Sequence, residues 1–215
     1  HGLLPQAHKE VGPLQIDAAD VPFGASLSTL YRWFRDLVRQ TEAHGGDWRS
    51  VVDGLRPHNQ RLWQSWPNSD KRRFLRRIRP WWNVHRHRLP PDLHVRLEQA
   101  ISSGQLRLLA AEFLGLEQAE SAVRVTLRPA GSGRTAVLEF ARVYDCGGVS
   151  VDVRASANPV IRDLVQKGAA RPDPMRIGLD VDGGLALVAD DGTASRHIRV
   201  VGPLTRGLLF EIEAV

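Results

Sequence analysis

The sequence predicts an α/β protein with a helical N-terminal half and a β-rich C-terminal half. Three observations carry this expectation. Apolar residues recur at helical spacing through the first hundred positions, the period changes after Gly104, and all six tryptophans lie before the change. The 215 residues are enough for one large domain or two small ones.

The helical half is justified element by element. Leu30, Trp33, Phe34, Leu37 and Val38 form one stripe, with Ser26 or Ser28 as the cap and Gly45-Gly46 as the stop. Asp47 caps a short helix carrying Trp48, Val51, Val52 and Leu55. Pro57 opens a turn leading to Leu62, Trp63 and Trp66. Ser69 or Asp70 is expected to cap a stretch in which Phe74, Leu75, Ile78, Trp81 and Trp82 share a face, kinked or ended by Pro80. Pro90-Pro91 opens a last helix through Leu93, Leu97 and Ile101.

Beyond Gly104, Leu106–Leu109, Val123–Leu127 and Ala136–Val143 read as strands, the last two a hairpin across the turn-rich link from Pro129 to Gly133. Asn158–Gly168 reads as a helix. Leu179–Val181, Leu185–Val188 and Ile198–Val201 read as short strands, and Thr205 as the cap of a helix starting near Arg206.

Composition bounds the function. With 42% hydrophobic and 25% charged residues the chain is not disordered, and no apolar run reaches membrane-spanning length. Cys146 is the single cysteine, which excludes an intrachain disulfide and suits a reducing, cytoplasmic compartment. No signal peptide is visible at the His1 end. Of 29 basic residues, 26 are arginine, and residues 1–100 hold 16 basic against 10 acidic side chains. A basic, Trp-rich half raises a nucleic-acid-binding module as one reading.

The basic charge concentrates in Lys71–Arg88, KRRFLRRIRPWWNVHRHR. Arginine forks match phosphate or carboxylate, so the run reads as an anion site or as a solvated helix face opposite a core stripe. His85 and His87 flank Arg86, but no third ligand at matching spacing points to a metal. Two glycine-containing turns follow expected strands. In Val143-Tyr144-Asp145-Cys146-Gly147-Gly148, Cys146 reads as a small buried residue at a strand end or as a redox thiol. In Val201-Gly202-Pro203-Leu204-Thr205-Arg206-Gly207, a strand leading into a helix start reads as an anion or ring site, or as an ordinary packing turn. No G-x-G-x-x-G occurs in the chain.

At these residues the sequence resembles a bacterial FAD/NAD(P)-binding oxidoreductase family of largely uncharacterised flavoproteins about twice this length. The resemblance starts at His1-Gly-Leu-Leu-Pro5 and continues at Trp48-Arg49, Leu55-Arg56-Pro57 and Arg73-Phe74-Leu75-Arg76. Arg79-Pro-Trp-Trp-Asn-Val-His-Arg-His-Arg88 is similar to the family's R-P-Y-W-D-V-H-R-H-R. Arg171-Pro-Asp-Pro174, Gly178-Leu179 and Gly202-Pro-Leu-Thr-Arg-Gly207 with Glu211 and Ala214-Val215 complete it.

The resemblance implies a partial, Rossmann-like FAD/NAD(P)-binding fold: 1–104 as a helical Arg/Trp-rich segment on the substrate or NAD(P) side, and 105–215 as the β-rich C-terminal part of the nucleotide-binding domain. It places Cys146, Gly147 and Gly148, and Gly202, Pro203, Leu204, Thr205, Arg206 and Gly207, beside FAD. Gly147 stands where the family has threonine and Val149 where it has proline. Arg206 would meet a phosphate or pair with a carboxylate such as Glu211. Arg79, His85, Arg86 and His87 are implied contacts of substrate or NAD(P)H.

The family's fingerprint for the FAD pyrophosphate lies upstream of His1, and the family continues beyond Val215. The expected object is therefore a fragment of an FAD-dependent oxidoreductase or hydroxylase, acting on a small molecule and inactive alone, whose partner is the missing N-terminal FAD-binding region. A sheet cut in this way exposes edges, so self-association is expected. Nucleic-acid binding and a non-catalytic interaction fragment are the alternatives. The first is disfavoured because the motif accounts for the arginines.

Overall fold

The computed structural model describes residues 2–146 and 152–212. The chain forms two compact units that interleave along the sequence, one from His1–Glu10 with Arg79–Gly148 and the other from Val11–Ile78 with Val149–Val215. Helices dominate the N-terminal half, and both sheets of the C-terminal half are antiparallel.

The second unit opens with α1 (Leu27–Ala43), whose N-cap Ser26 accepts from the Thr29 N–H at 3.2 Å, and α2 (Trp48–Gly54), whose N-cap Asp47 accepts from the Arg49 N–H at 2.9 Å. A 3₁₀ turn over Arg56–His58 carries Pro57 and leads into α3 (Asn59–Ser65). Then comes α4 (Asn68–Arg73), and here the expected cap is corrected. Pro67 stands at the N-cap without a side-chain bond, and Asp70 instead accepts from the Leu27 N–H of α1 at 3.1 Å, satisfying an orphan donor of a different helix.

Pro80 does not end the helical run, the second of the two outcomes expected of it. A π-turn over Phe74–Ile78 interrupts the α-helical ladder just before it, and Pro80 is the second residue of α5 (Arg79–Arg86), which follows without a gap. In the first unit α5 is tied down by the N-terminal segment: the Gln6 N–H donates to Val84 O at 2.8 Å and the Leu89 N–H to Gln6 O at 2.9 Å. Next, α6 (Pro91–Ser102) ends at Gly104, whose φ of +77° is the left-handed conformation glycine tolerates.

The first expected strand is displaced. Leu106 belongs to the helix exit, its N–H donating to Ala100 O at 2.8 Å, and β1 runs over Ala111–Gln118. A leucine run marks no register by itself; pairing with β2 (Val123–Pro129) sets it, from Ala111 opposite Pro129 to Gln118 opposite Val123. The expected hairpin of β2 with β3 is present, although β3 (Ala136–Phe140) stops short of Val143. One face of this sheet carries the ion pairs Arg124–Glu139 (3.1 Å) and Arg128–Glu112 (2.7 Å). The other face carries Phe113, Leu116, Val125, Leu127 and Leu138, and Phe113 and Leu116 are 60% and 54% exposed.

The chain then returns to the second unit. Asn158 caps α7 (Pro159–Gln166), accepting from the Val160 N–H at 2.9 Å, as the helical reading of this stretch anticipates. Residues 179 and 181 form only isolated bridges, to Pro172 and Leu187. The last sheet pairs β4 (Ala186–Val188) with β5 (Ala194–Arg199), so the final strand ends before Val201 instead of at it. Val153, Ala170, Leu179, Val181, Leu187 and Val200 form a buried core cluster here, with Ile161 and Leu164 of α7 packed against it. Among the described residues no helix is long and apolar enough to cross a membrane.

Candidate functional site

The Gly202–Gly207 turn is built differently from the strand-turn-helix reading. Residues Gly202–Thr205 form a single 3₁₀ turn, and no α-helix follows it among the described residues. Gly202 sits at φ +72° and Pro203 offers no N–H. Thr205 caps no helix; its hydroxyl, fully buried, donates back to Gly202 O at 2.8 Å. Its carbonyl takes the N–H groups of both Leu208 (3.0 Å) and Leu209 (2.8 Å), which curls the chain instead of extending it. The helix-dipole argument for an anion at this turn therefore has no helix behind it.

What holds the turn comes from far away in sequence. The Leu179 N–H donates to Leu204 O at 2.8 Å, and the neighbouring Gly178 comes so near Leu204 that an added Cβ would overlap that carbonyl. Gly178 is placed by Asp173, which is 3% exposed. One carboxylate oxygen of Asp173 accepts from the N–H groups of Ile177 and Gly178, each at 2.7 Å, and the other from Met175 at 2.8 Å. Arg176, at φ +59°, closes the loop with its N–H on Asp173 O at 2.9 Å.

Burial pushes the Asp173 carboxyl above its ordinary range against the pull of its three N–H donors, and Asp180 pushes the same way. Burial likewise lowers Lys71, with Asp173 opposing.

A second set of contacts runs along α3. Trp63 Nε1 donates to Gly207 O at 2.8 Å, Gln60 Nε2 to Phe210 O, and Asn59 Nδ2 to the Glu211 carboxylate at 2.9 Å. The Trp63 ring stacks on Phe210 with centroids 4.7 Å apart, and Phe74 meets Phe210 edge-on at 5.4 Å. One short helix thus grips the segment after the turn by two amide side chains and by the N–H and face of one indole.

Gly202, Pro203, Leu204, Thr205, Arg206 and Gly207 are therefore brought together as one fixed turn. Arg79, His85, Arg86 and His87 lie on α5 and just after it in the other unit, where His85 Nδ1 sits 2.8 Å from Trp81 O. Cys146 also belongs to that unit and is exposed, past the end of β3, so the small buried strand-end residue is corrected. Gly147 and Gly148 lie outside the described residues. Sequence reasoning gave no role to Asp173, Gly178, Trp63, Gln60 and Asn59. The Asp-Pro turn followed by Gly178 was the available signal for the first two; nothing local marked the α3 residues.

The Gly202–Gly207 turn carries one hydroxyl, that of Thr205. This hydroxyl is used internally, so it supplies no nucleophile or base, and at Gly202 no heavy atom of a residue other than the two chain neighbours lies within 4 Å of the position a Cβ would take. Among the described residues no group of three His, Cys, Asp or Glu side chains converges on a metal position.

No known protein family's sequence profile matches the chain, and no solved structure matches it. It is similar to uncharacterised proteins of Mycobacterium bovis and Mycobacterium tuberculosis, with 34% identity over 113 residues. The match takes in 51% of this chain and 20% of each relative, so it spans about one fifth of the relatives' length.

Proposed function

We propose that this chain serves as part of a longer FAD-dependent, NAD(P)H-using oxidoreductase or hydroxylase, with the Gly202–Gly207 turn against the flavin. The Rossmann-like placement of the chain within such a protein belongs to the same proposal. The observation that supports it is the rigid, open turn itself. Gly202 presents bare backbone to open space, while Asp173, Gly178 and Trp63 hold the turn from behind. A flat ring can approach the backbone more closely at a glycine than at a residue with a Cβ.

FAD, when bound, would supply the hydride and electron chemistry, and the protein would orient it. No G-x-G-x-x-G is present to take the pyrophosphate, so the proposal assigns this chain to the ring side of the cofactor only. Arg79, His85, Arg86 and His87 are the residues proposed for the small-molecule substrate or NAD(P)H. Cys146, Gly147 and Gly148 remain proposed for the cofactor side on the resemblance alone.

The test is the absorption spectrum of the natural full-length protein, as purified and after incubation with FAD. The flavin bands are expected, and Gly202→Asn, a side chain that tolerates the left-handed backbone, is expected to weaken FAD retention with the circular-dichroism spectrum unchanged. A full-length protein that stays colourless with added FAD would sink the proposal.

A further inference from the structure

We infer that the groove beside α1 is a binding site for the phosphate groups of a small polyanion, independent of any flavin. The groove is a half-open depression of about 300 Å³ between α1, the end of α4 and the π-turn. That is the lower end of the range for small-ligand sites. Its apolar base includes Leu27 and Ile78, and its wall is cationic.

Arg32, Arg35 and Arg39 lie three and four residues apart on α1 and so share one face. Arg73, from α4, joins them, its Nη1 donating to Ser28 Oγ at 3.0 Å. Against four guanidinium groups the lining holds one carboxylate, Asp36, and Arg39 already occupies it at 2.8 Å. Arg32 has no hydrogen bond or ion pair among the described residues. Arg35 stands over the Tyr31 ring, 5.8 Å from its centroid.

Arg124, Arg128, Arg154 and Arg171 are each matched with a carboxylate. Like charges at three- and four-residue spacing destabilise a helix. Here they line a concavity, where a bound anion would reverse the repulsion. Guanidinium forks match phosphate oxygens two at a time, and an excess of three cations over anions in the lining suits a di- or triphosphate group better than a single carboxylate. Tyr31, 47% exposed at the same groove, offers a face on which a nucleotide base can stack.

The test is calorimetric titration of the 215-residue chain with inorganic pyrophosphate and, separately, with ADP. Saturable one-to-one binding is expected, weakened about tenfold by Arg32→Gln or Arg35→Gln and unchanged by Arg196→Gln on β5, with the circular-dichroism spectrum the same in all variants. Equal affinity for the two probes assigns a free polyphosphate. Tighter binding of ADP, lost in Tyr31→Ala, assigns a nucleotide; either pattern supports the site. Absence of saturable binding overturns the inference, as does binding that ignores the groove variants or falls equally with Arg196→Gln. Neither result depends on whether the full-length protein holds FAD.

Discussion

Asp173 occupies the space a side chain at position 207 would need: a Cβ built on Gly207 stands 2.5 Å from Asp173 Cβ. Gly207 is therefore glycine because of a residue more than thirty positions earlier, and the 173–178 loop and the 202–207 turn are one mechanical piece.

Gly207→Ala is expected to push Asp173 off its N–H donors. Overpacking of this kind costs roughly 1–3 kcal/mol. Urea unfolding measures it; an unchanged midpoint would show that the loop yields freely.

Asp173→Asn keeps the volume but puts an amide donor where one oxygen stood, so either the Met175 N–H or the Ile177 and Gly178 N–H pair loses its acceptor. A buried donor without its acceptor costs about 1–3 kcal/mol. The variant also removes a pH dependence. A carboxyl raised in the folded state stays protonated while its unfolded counterpart ionises. Wild-type stability therefore falls as pH rises from about 3.9, the ordinary aspartate value, to the raised folded value, and this contribution is level above it. Unfolding midpoints measured across acidic pH should show that downward step in the wild type and lose it in Asp173→Asn.

Trp63→Phe retains a ring to stack on Phe210 and deletes the donor to Gly207 O. The expected loss is about 1 kcal/mol, against roughly 3–5 kcal/mol for Trp63→Ala, which empties the site. If the two variants unfold together, the hydrogen bond and not the packing is the main contribution.

The exposed face of the β1–β3 sheet should bind a hydrophobic dye. Phe113→Ser with Leu116→Ser is expected to lower dye fluorescence severalfold while leaving the Arg124–Glu139 face intact. Undiminished fluorescence would place the dye elsewhere.

Much of the helical half is legible in the sequence because its signals are local. Ser26, Asp47 and Asn158 cap the helices they precede by accepting N–H groups two or three residues on. Where a signal was assigned to the wrong neighbour, the competing partner was distant: Asp70 serves Leu27, and Thr205 turns back on Gly202. The strands were harder. Alternation predicted the β2–β3 hairpin, but the leucines at 106, 108 and 109 carry no period that distinguishes helix exit from strand, so β1 was displaced.

Of the candidate site, Gly202 and Pro203 were readable, since they free or restrict the backbone where they stand. Asp173 and the α3 side chains were not, because a side-chain-to-backbone bond across 144 residues, as from Trp63 to Gly207, leaves no periodic trace.

By itself the sequence determined the helix-to-strand switch near residue 105, the cap of α2, the α7 helix, and the concentration of cationic charge in the first half. These follow from hydrogen bonds and periodicities that span a few residues. Only the tertiary structure decided that the 202–207 segment is a curled turn gripped by Asp173, Gly178 and Trp63, and that Arg32, Arg35, Arg39 and Arg73 face one groove. Those arrangements depend on which distant groups meet after packing, and burial alone makes an unmet donor or an unpaired charge costly enough to select among them.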